Sequence, residues 1–163
     1  MRILGIDPGT SLIGYGIVDV SGRTYKAVDF GDLKTGVNIR NADRVIDVYN
    51  FFDKLIKKNK PDKVAIESLF FFKNAKTIVK VSEIRGVLMY VTAKNGIEIN
   101  EFTPLQVKQA VSSYGRAEKT QVQQMVKLIL GLETIPKPDD AADALALAIC
   151  CANSVSYWLS KIK

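Results

Sequence analysis

The sequence predicts an α/β protein on a mixed five-stranded sheet, three antiparallel strands followed by alternating helix and strand, with helices on both faces. Three observations predict it. Short apolar runs of strand length fill the first thirty residues; from Asn41 the apolar residues recur at helical spacing; and strand and helix patterns then alternate, as parallel strands with crossover helices require. At 163 residues, with no repeat, linker or low-complexity run, residues 1–163 are expected to form a single domain that buries roughly 70% of its unfolded surface.

Each element follows from local chemistry. Arg2 to Asp7 is almost continuously apolar, as a strand covered on both faces must be, and Asp7-Pro8-Gly9-Thr10 breaks it. Leu12 to Val20 and Thr24 to Asp29 read as two more strands joined at Ser21-Gly22. Val45, Tyr49, Phe52 and Ile56 mark one face of a helix that begins at Asn41 and stops before Pro61. Lys63 to Glu67 is a short strand, Phe70 to Lys76 a loop, and Thr77 to Ala93 a second helix closed by Asn95-Gly96. Ile97 to Phe102 is the fifth strand. Pro104 to Val111 is a short helix and Ser112 to Glu118 a polar loop. Lys119 to Leu130 is a helix with Val122, Met125 and Ile129 inward. After Pro136 and Pro138, Asp139 can cap a last helix running to about Leu159.

Composition narrows the chemistry. Hydrophobic residues are 47% and charged residues 25%, a globular balance. The longest apolar stretch, Ala144 to Ala152, is far short of the ~20 residues a bilayer span needs, and the N-terminus lacks the layout of a signal peptide, so a soluble, cytoplasmic protein without a membrane partner is expected. The two cysteines, Cys150 and Cys151, are neighbours, which suits core packing in a reducing compartment better than a disulfide or zinc site. There is no histidine, so catalysis must use carboxylates, lysines or a metal. The net charge is +6, and the eight lysines between Lys54 and Lys80 supply a local surplus of the same size. That fits a polyanionic partner, while Lys54 to Lys60 fit equally well the solvated end of a helix.

Four carboxylates draw attention. Asp140 and Asp143, three residues apart in the last helix, share one of its faces. Asp140 also suits a first helical turn, where acids complement the dipole. Asp143 stands in Ala141-Ala142-Asp143-Ala144-Leu145-Ala146, a helix apolar all round, where an ionised carboxylate calls for a partner. Asp7 and Glu67 close the first and fourth strands, positions that also suit ordinary turns and strand ends. If those strands are neighbours, the two carboxylates meet. Clustered acids without histidine or cysteine favour magnesium or manganese, and two such ions suit an in-line attack on a phosphodiester.

Several short motifs along the chain carry a family resemblance. Ile3-Leu4-Gly5-Ile6-Asp7-Pro8-Gly9-Thr10 with Gly14-Tyr15-Gly16, Ala65-Ile66-Glu67 with Phe70 and Lys73-Asn74-Ala75, and Arg85-Gly86-Val87 form the first half of the pattern. Gln106-Val107-Lys108-Gln109, Ala117-Glu118-Lys119 with Gln121-Val122-Gln123, and Asp140-Ala141-Ala142-Asp143-Ala144-Leu145-Ala146 complete it. Their order and spacing resemble the RuvC family of bacterial Holliday junction resolvases, whose fold is ribonuclease H-like. The resemblance implies a metal quartet of Asp7, Glu67, Asp140 and Asp143. These would hold two Mg2+ per subunit, with Mn2+ able to substitute. It implies that Lys108 and Lys119 approach the cleaved strand, that Phe70 wedges into junction bases, and that Lys73, Lys76, Lys80 and Arg85 form a phosphate-binding stripe. The implied partners are a four-way DNA junction, a second copy of the chain, and a branch-migration complex.

Bottom-up considerations fit this picture without being specific to it. Three aromatics at Phe70-Phe71-Phe72 usually send at least two side chains inward, and lysines at these positions equally suit solvated surface. Paired symmetric nicks need two sites related by a two-fold axis, so a homodimer is expected, through a second helix whose Ile84, Val87, Leu88 and Val91 make a broad apolar face. Three rivals stand beside this reading. One is an ATP-binding protein of the actin and sugar-kinase type, suggested by the Asp7 to Thr10 loop but lacking a second phosphate loop. The others are a non-catalytic junction-binding module and a nuclease that processes structured RNA.

Overall fold

β1 (Arg2–Asp7) lies at the centre of the sheet, with β2 (Leu12–Ser21) antiparallel on one side and β4 (Lys63–Glu67) parallel on the other. β3 (Thr24–Lys34) and β5 (Glu98–Phe102) form the edges, giving the order β3-β2-β1-β4-β5. The computed structural model describes residues 1–36, 38–68 and 75–161, and the side chains of 75–77 and 156–161 fall outside that description. Five helices complete the chain: α1 (Asn41–Asn59), α2 (Ala75–Lys94), α3 (Pro104–Ser112), α4 (Lys119–Ile129) and α5 (Asp139–Lys161).

Side-chain alternation along the strands divides the core in two. Leu4, Ile6, Ile13, Ile17, Val64 and Ile66 face α1 and α2, where they pack with Val48, Phe52, Ile84, Leu88 and Val91. Ile3, Val18 and Ala65 face the other way, onto α5 and the inner sides of α3 and α4. Asp7 has the parity of Ile3, and Glu67 that of Ala65. Both carboxylates therefore belong to the face that α5 covers. Among the described residues no helix is long and apolar enough to cross a membrane.

Most boundaries agree with the sequence reading to within two residues, and three differences are informative. β3 continues to Lys34 instead of Asp29, because Gly31 pairs with Tyr15 and its missing side chain leaves room for the tyrosine ring. A half-exposed edge strand with a glycine and two charges carries no alternation for a periodicity argument to find. α2 begins at Ala75, so Ala75 and Lys76 are helical rather than part of a loop. Ile84, Leu88 and Val91 are fully buried in their own chain's core and cannot form an intersubunit surface. Of its large apolar side chains α2 leaves Val79 and Tyr90 outward, and Tyr90 shares a groove with Ile46 of α1.

Local signals that the sequence reading did not single out begin two of the helices, whereas Asp139, expected to cap α5, is its first helical residue. Thr103 and Gln106 form a reciprocal capping box at α3, and Glu118 and Gln121 do the same at α4, which sets Lys119 in the first turn of that helix. Gly96 takes a left-handed conformation, φ +71°, to close α2.

Candidate active site

The parallel pairing of β1 with β4 runs to Ile6 opposite Ile66, so Asp7 and Glu67 leave the sheet side by side at its carboxyl edge. α5 then approaches the same edge at unusually close range. Gly5, Gly14 and Gly16 all lie beneath it on one face of the sheet, and Gly5 and Gly16 are cross-strand partners. A Cβ on Gly5 would stand 1.9 Å from the Ala144 carbonyl oxygen, one on Gly14 2.1 Å from that of Asp140, and one on Gly16 2.7 Å from Leu145. Only a glycine floor permits this packing. It lowers the first turn of α5, with Asp140 and Asp143, onto the end of β1.

A cleft of about 260 Å³ results, lined by Asp7, Glu67, Lys108, Lys119 and Asp143, with Pro104, Val107, Val122, Ala146 and Leu147 as its apolar wall. Asp7 is the electrostatic centre. Desolvation and then the nearby charges of Glu67, Asp143 and Asp140 push its carboxyl up to about 8, against a smaller opposing pull from Lys119. Glu67 is raised by burial and by Asp143. Asp143 is raised by burial despite its bond to Lys119, and Asp140 and Asp139 add to the rise. Desolvation lowers the Lys119 ammonium, but Asp143, Asp139 and Asp140 together hold it above its ordinary value.

Lys119 is the clasp of the cleft: its Nζ lies 3.0 Å from Asp143 Oδ2 and 3.7 Å from Asp139 Oδ2. Asp139, expected only to cap α5, thus joins the ionic network, an involvement no spacing in the sequence signals. Asp143 is not enclosed by its apolar helix. α5 is buried from Ala141 to Ala152 except at Asp143, whose side chain is 34% exposed because it faces the mouth at the sheet's edge. Asp140 does not line the cleft, and acts on Asp7 through charge from above Gly14.

The donor chemistry of this cluster suits a hard divalent cation, since every acid is an oxygen donor and Asp7 is crowded by like charges. Among the described residues, however, no three carboxylates stand close enough together to enclose an ion. Glu67, Asp143 and Asp140 bear on Asp7 through their charge, without forming a closed ligand cage among the described residues.

The predicted DNA contacts separate. Lys108 lines the cleft, and Lys80 is exposed on α2. Phe70 and Lys73, with Phe71 and Phe72, lie outside the described residues, as does the side chain of Lys76. Arg85 is not on an open stripe: its side chain is 15% exposed and bound to Glu101. The lysines at the end of α1 sit at the opposite edge of the sheet, where the Asn59 carbonyl accepts from Arg2 Nη1. The apolar wall of Val107, Val122 and Leu147 was read from sequence only in part, since periodicity marks a residue as inward without showing that it borders a cavity.

The model of one family, crossover junction endodeoxyribonuclease RuvC, matches residues 3–151. The chain belongs to the RuvC family. It is accordingly a nuclease of the crossover junction class, and the family depends on divalent metal. A RuvC relative from Alkaliphilus metalliredigens is 53% identical over the whole of both chains. One from Ruminiclostridium cellulolyticum is 54% identical over 94% of this chain and 93% of its own. Among solved structures, RuvC of T. thermophilus in complex with a Holliday junction substrate superposes with a TM-score of 0.90 at 30% identity, covering 96% of each chain. The fold is that of the RuvC structures, a ribonuclease H-like sheet with its helices.

Proposed function

We propose that residues 1–163 act as one nuclease domain in the cytoplasm that resolves four-way DNA junctions by paired symmetric nicks. The observation that carries this reading is the crowding of Asp7 by Glu67, Asp143 and Asp140 at the edge of a cleft that also holds Lys108 and Lys119. Asp7, Glu67, Asp140 and Asp143 are assigned as ligands of two Mg2+ ions, which Mn2+ can replace. Bound there, the ions supply activation of water and neutralisation of charge on the phosphodiester.

The chain's own residues do the rest. The glycine floor holds α5 low enough for its two acids to act with Asp7. Lys119 keeps Asp143 oriented through its 3.0 Å bond, and Asp143 is one of the acids that would hold a cation bound in the cleft. Lys119 and Lys108 both line the cleft, where their ammonium groups would offset charge developing on the phosphate oxygens. The apolar wall limits water to the reacting side. Phe70 is assigned to junction bases, and Lys73, Lys76 and Lys80 to phosphates, contributing affinity and salt dependence.

Two nicks require two clefts, and a second copy of the chain supplies the other. The surface assigned to that contact is the largely apolar groove between α1 and α2 formed by Val45, Ile46, Tyr49, Val87 and Tyr90, with Glu83 its one charged lining residue. A branch-migration complex belongs to the same reading as a further partner. Incubating labelled four-way DNA junction and structured RNA with the protein and Mg2+ tests it. Symmetric cuts in the DNA junction, absent from Asp7→Asn although that variant still binds, are expected. Preferential cutting of RNA, or cleavage by Asp7→Asn at the parent rate, overturns it.

A further inference from the structure

Arg85, which the family pattern would place on a phosphate-binding stripe, is instead paired with Glu101 on the face of the sheet that α2 covers, at the end of β4. Each of the three nitrogens of the Arg85 guanidinium donates: Nη2 to Glu101 Oε2, Nε to the Glu67 carbonyl oxygen at 3.4 Å, and Nη1 to Met89 Sδ at 3.3 Å. Glu101 is held in turn by the sheet, where it pairs with Ile66, and so lies on the α2 side of β5. The backbone around Glu67 is also tied from that strand, since Ser68 N–H donates to the Phe102 carbonyl at 2.9 Å. Glu67 is the last residue of β4. Beyond it the ladder ends, so the direction of its carboxylate depends on what fixes the peptide that follows.

We infer that Arg85 is a positioning residue, clamped by Glu101, that locks the end of β4 and thereby aims Glu67 at the cleft. This rests on the reading of Glu67 as a metal ligand. The physical case has two parts. With its side chain 15% exposed and paired to Glu101, Arg85 is not available to a phosphate unless the ion pair breaks and leaves Glu101 without its partner. A ligand at a strand terminus also needs its backbone held to within about 0.5 Å, which a planar fork bridging two strands and a helix can supply and a single ammonium cannot.

The clamp is tested with Arg85→Gln, Arg85→Lys and Glu101→Gln, measuring Mn2+ affinity of the metal-free protein by titration, the Mg2+ dependence of kcat, and junction affinity in Ca2+. Arg85→Gln is expected to weaken Mn2+ binding and lower kcat by roughly 10- to 100-fold, the effect usual for an outer partner of a metal ligand, with junction affinity unchanged. Arg85→Lys should rescue little. Glu101→Gln, at an exposed acid, should fold and shift both readouts in the same direction, so it decides the matter if Arg85→Gln does not fold. The inference falls if Arg85→Gln loses junction affinity with kcat and Mn2+ binding intact, or if Glu101→Gln tightens the junction without affecting the metal. Asp7→Asn run alongside separates the two levels. If it retains Mn2+ binding and cleavage, the metal site itself is misassigned; if it loses both while Arg85→Gln and Glu101→Gln keep them, only the clamp fails.

Discussion

The two ends of β1 treat their acids in opposite ways. At the amino end Asp19 meets Arg2 as its register partner, with Nη2 to Oδ2 at 2.7 Å and Nε to Oδ1 at 2.8 Å, and Asp62 accepts from the Arg2 backbone N–H. Lys63 and Glu98 pair across the neighbouring strands at the same edge. At the carboxyl end Asp7 meets Glu67, Asp143 and Asp140, against the single clasp of Lys119. At one end Arg2 holds Asp19 below its ordinary value and Lys63 does the same for Glu98, and at the other Asp7, Glu67 and Asp143 are raised. The same sheet thus carries a stabilising edge and a frustrated one. The carboxyl edge concentrates negative charge that Lys119 offsets only in part, which is the electrostatic setting the proposed ion site requires.

Asp7→Asn breaks the comparison most strongly. On its proposed role as a metal ligand, which would stabilise several kcal/mol of transition-state charge, its loss is expected to lower junction cleavage roughly a hundredfold or more. Stability of the metal-free protein should move the other way. Because the folded state holds the Asp7 proton up to about 8 while the unfolded chain releases it near 3.8, the parent loses stability as pH rises through that window. In the Asn variant this loss is removed. Urea unfolding in EDTA at pH 5 and pH 8 checks the sign, and a variant less stable than the parent at pH 8 contradicts it. Mn2+ should stabilise the parent more at pH 8 than at pH 5.

Gly14→Ala sharpens the comparison at the level of packing. Its Cβ meets the backbone of Asp140, which is not a flexible side chain that can swing aside, so α5 must lift at a cost of about 1–3 kcal/mol. Cleavage should fall with it, because the acids of α5 rise away from Asp7, whereas Gly22→Ala, in open space but at φ +59°, should cost only local turn strain and leave cleavage intact. Thermal unfolding and a cleavage assay on both variants separate displacement of α5 from simple destabilisation.

Asp19→Asn is the smallest change. Its folded-state acidity is depressed, so its contribution is present above the ordinary carboxylate range and is lost as pH falls through that of the folded group. At a side-chain exposure of 42% and in salt, about 0.5 kcal/mol at neutral pH is expected, vanishing at low pH, with cleavage unaltered. A pH series of urea midpoints reads it, and any loss of cleavage shows that the two edges are coupled.

Much of this was legible in one dimension because short-range patterns carry it. Short apolar runs marked the strands and helical spacing the helices, and the stops at Asn95-Gly96 and Pro136-Pro138 stand where the chain turns. The end of β3 was not legible, since Gly31 makes sense only beside Tyr15. Nor was the fate of the α2 face, because an apolar stripe is identical in sequence whether its own sheet or a second chain covers it. The sequence also offered Arg85 as one cation among several, and only its contacts with Glu101 and Glu67 distinguish it.

By itself the sequence determined which residue types stand at the strand ends and on the last helix, and hence that oxygen-donor chemistry without histidine is what this chain can perform. The tertiary structure alone decided which acids face one another, which are neutralised by a base, and that Lys119 stands among them. The physical reason is range. Periodicity and capping act over a few residues, whereas the charge on Asp7 responds to groups 60 to 136 positions away in the chain, brought near by strand pairing and by three glycines that let a helix settle onto the sheet.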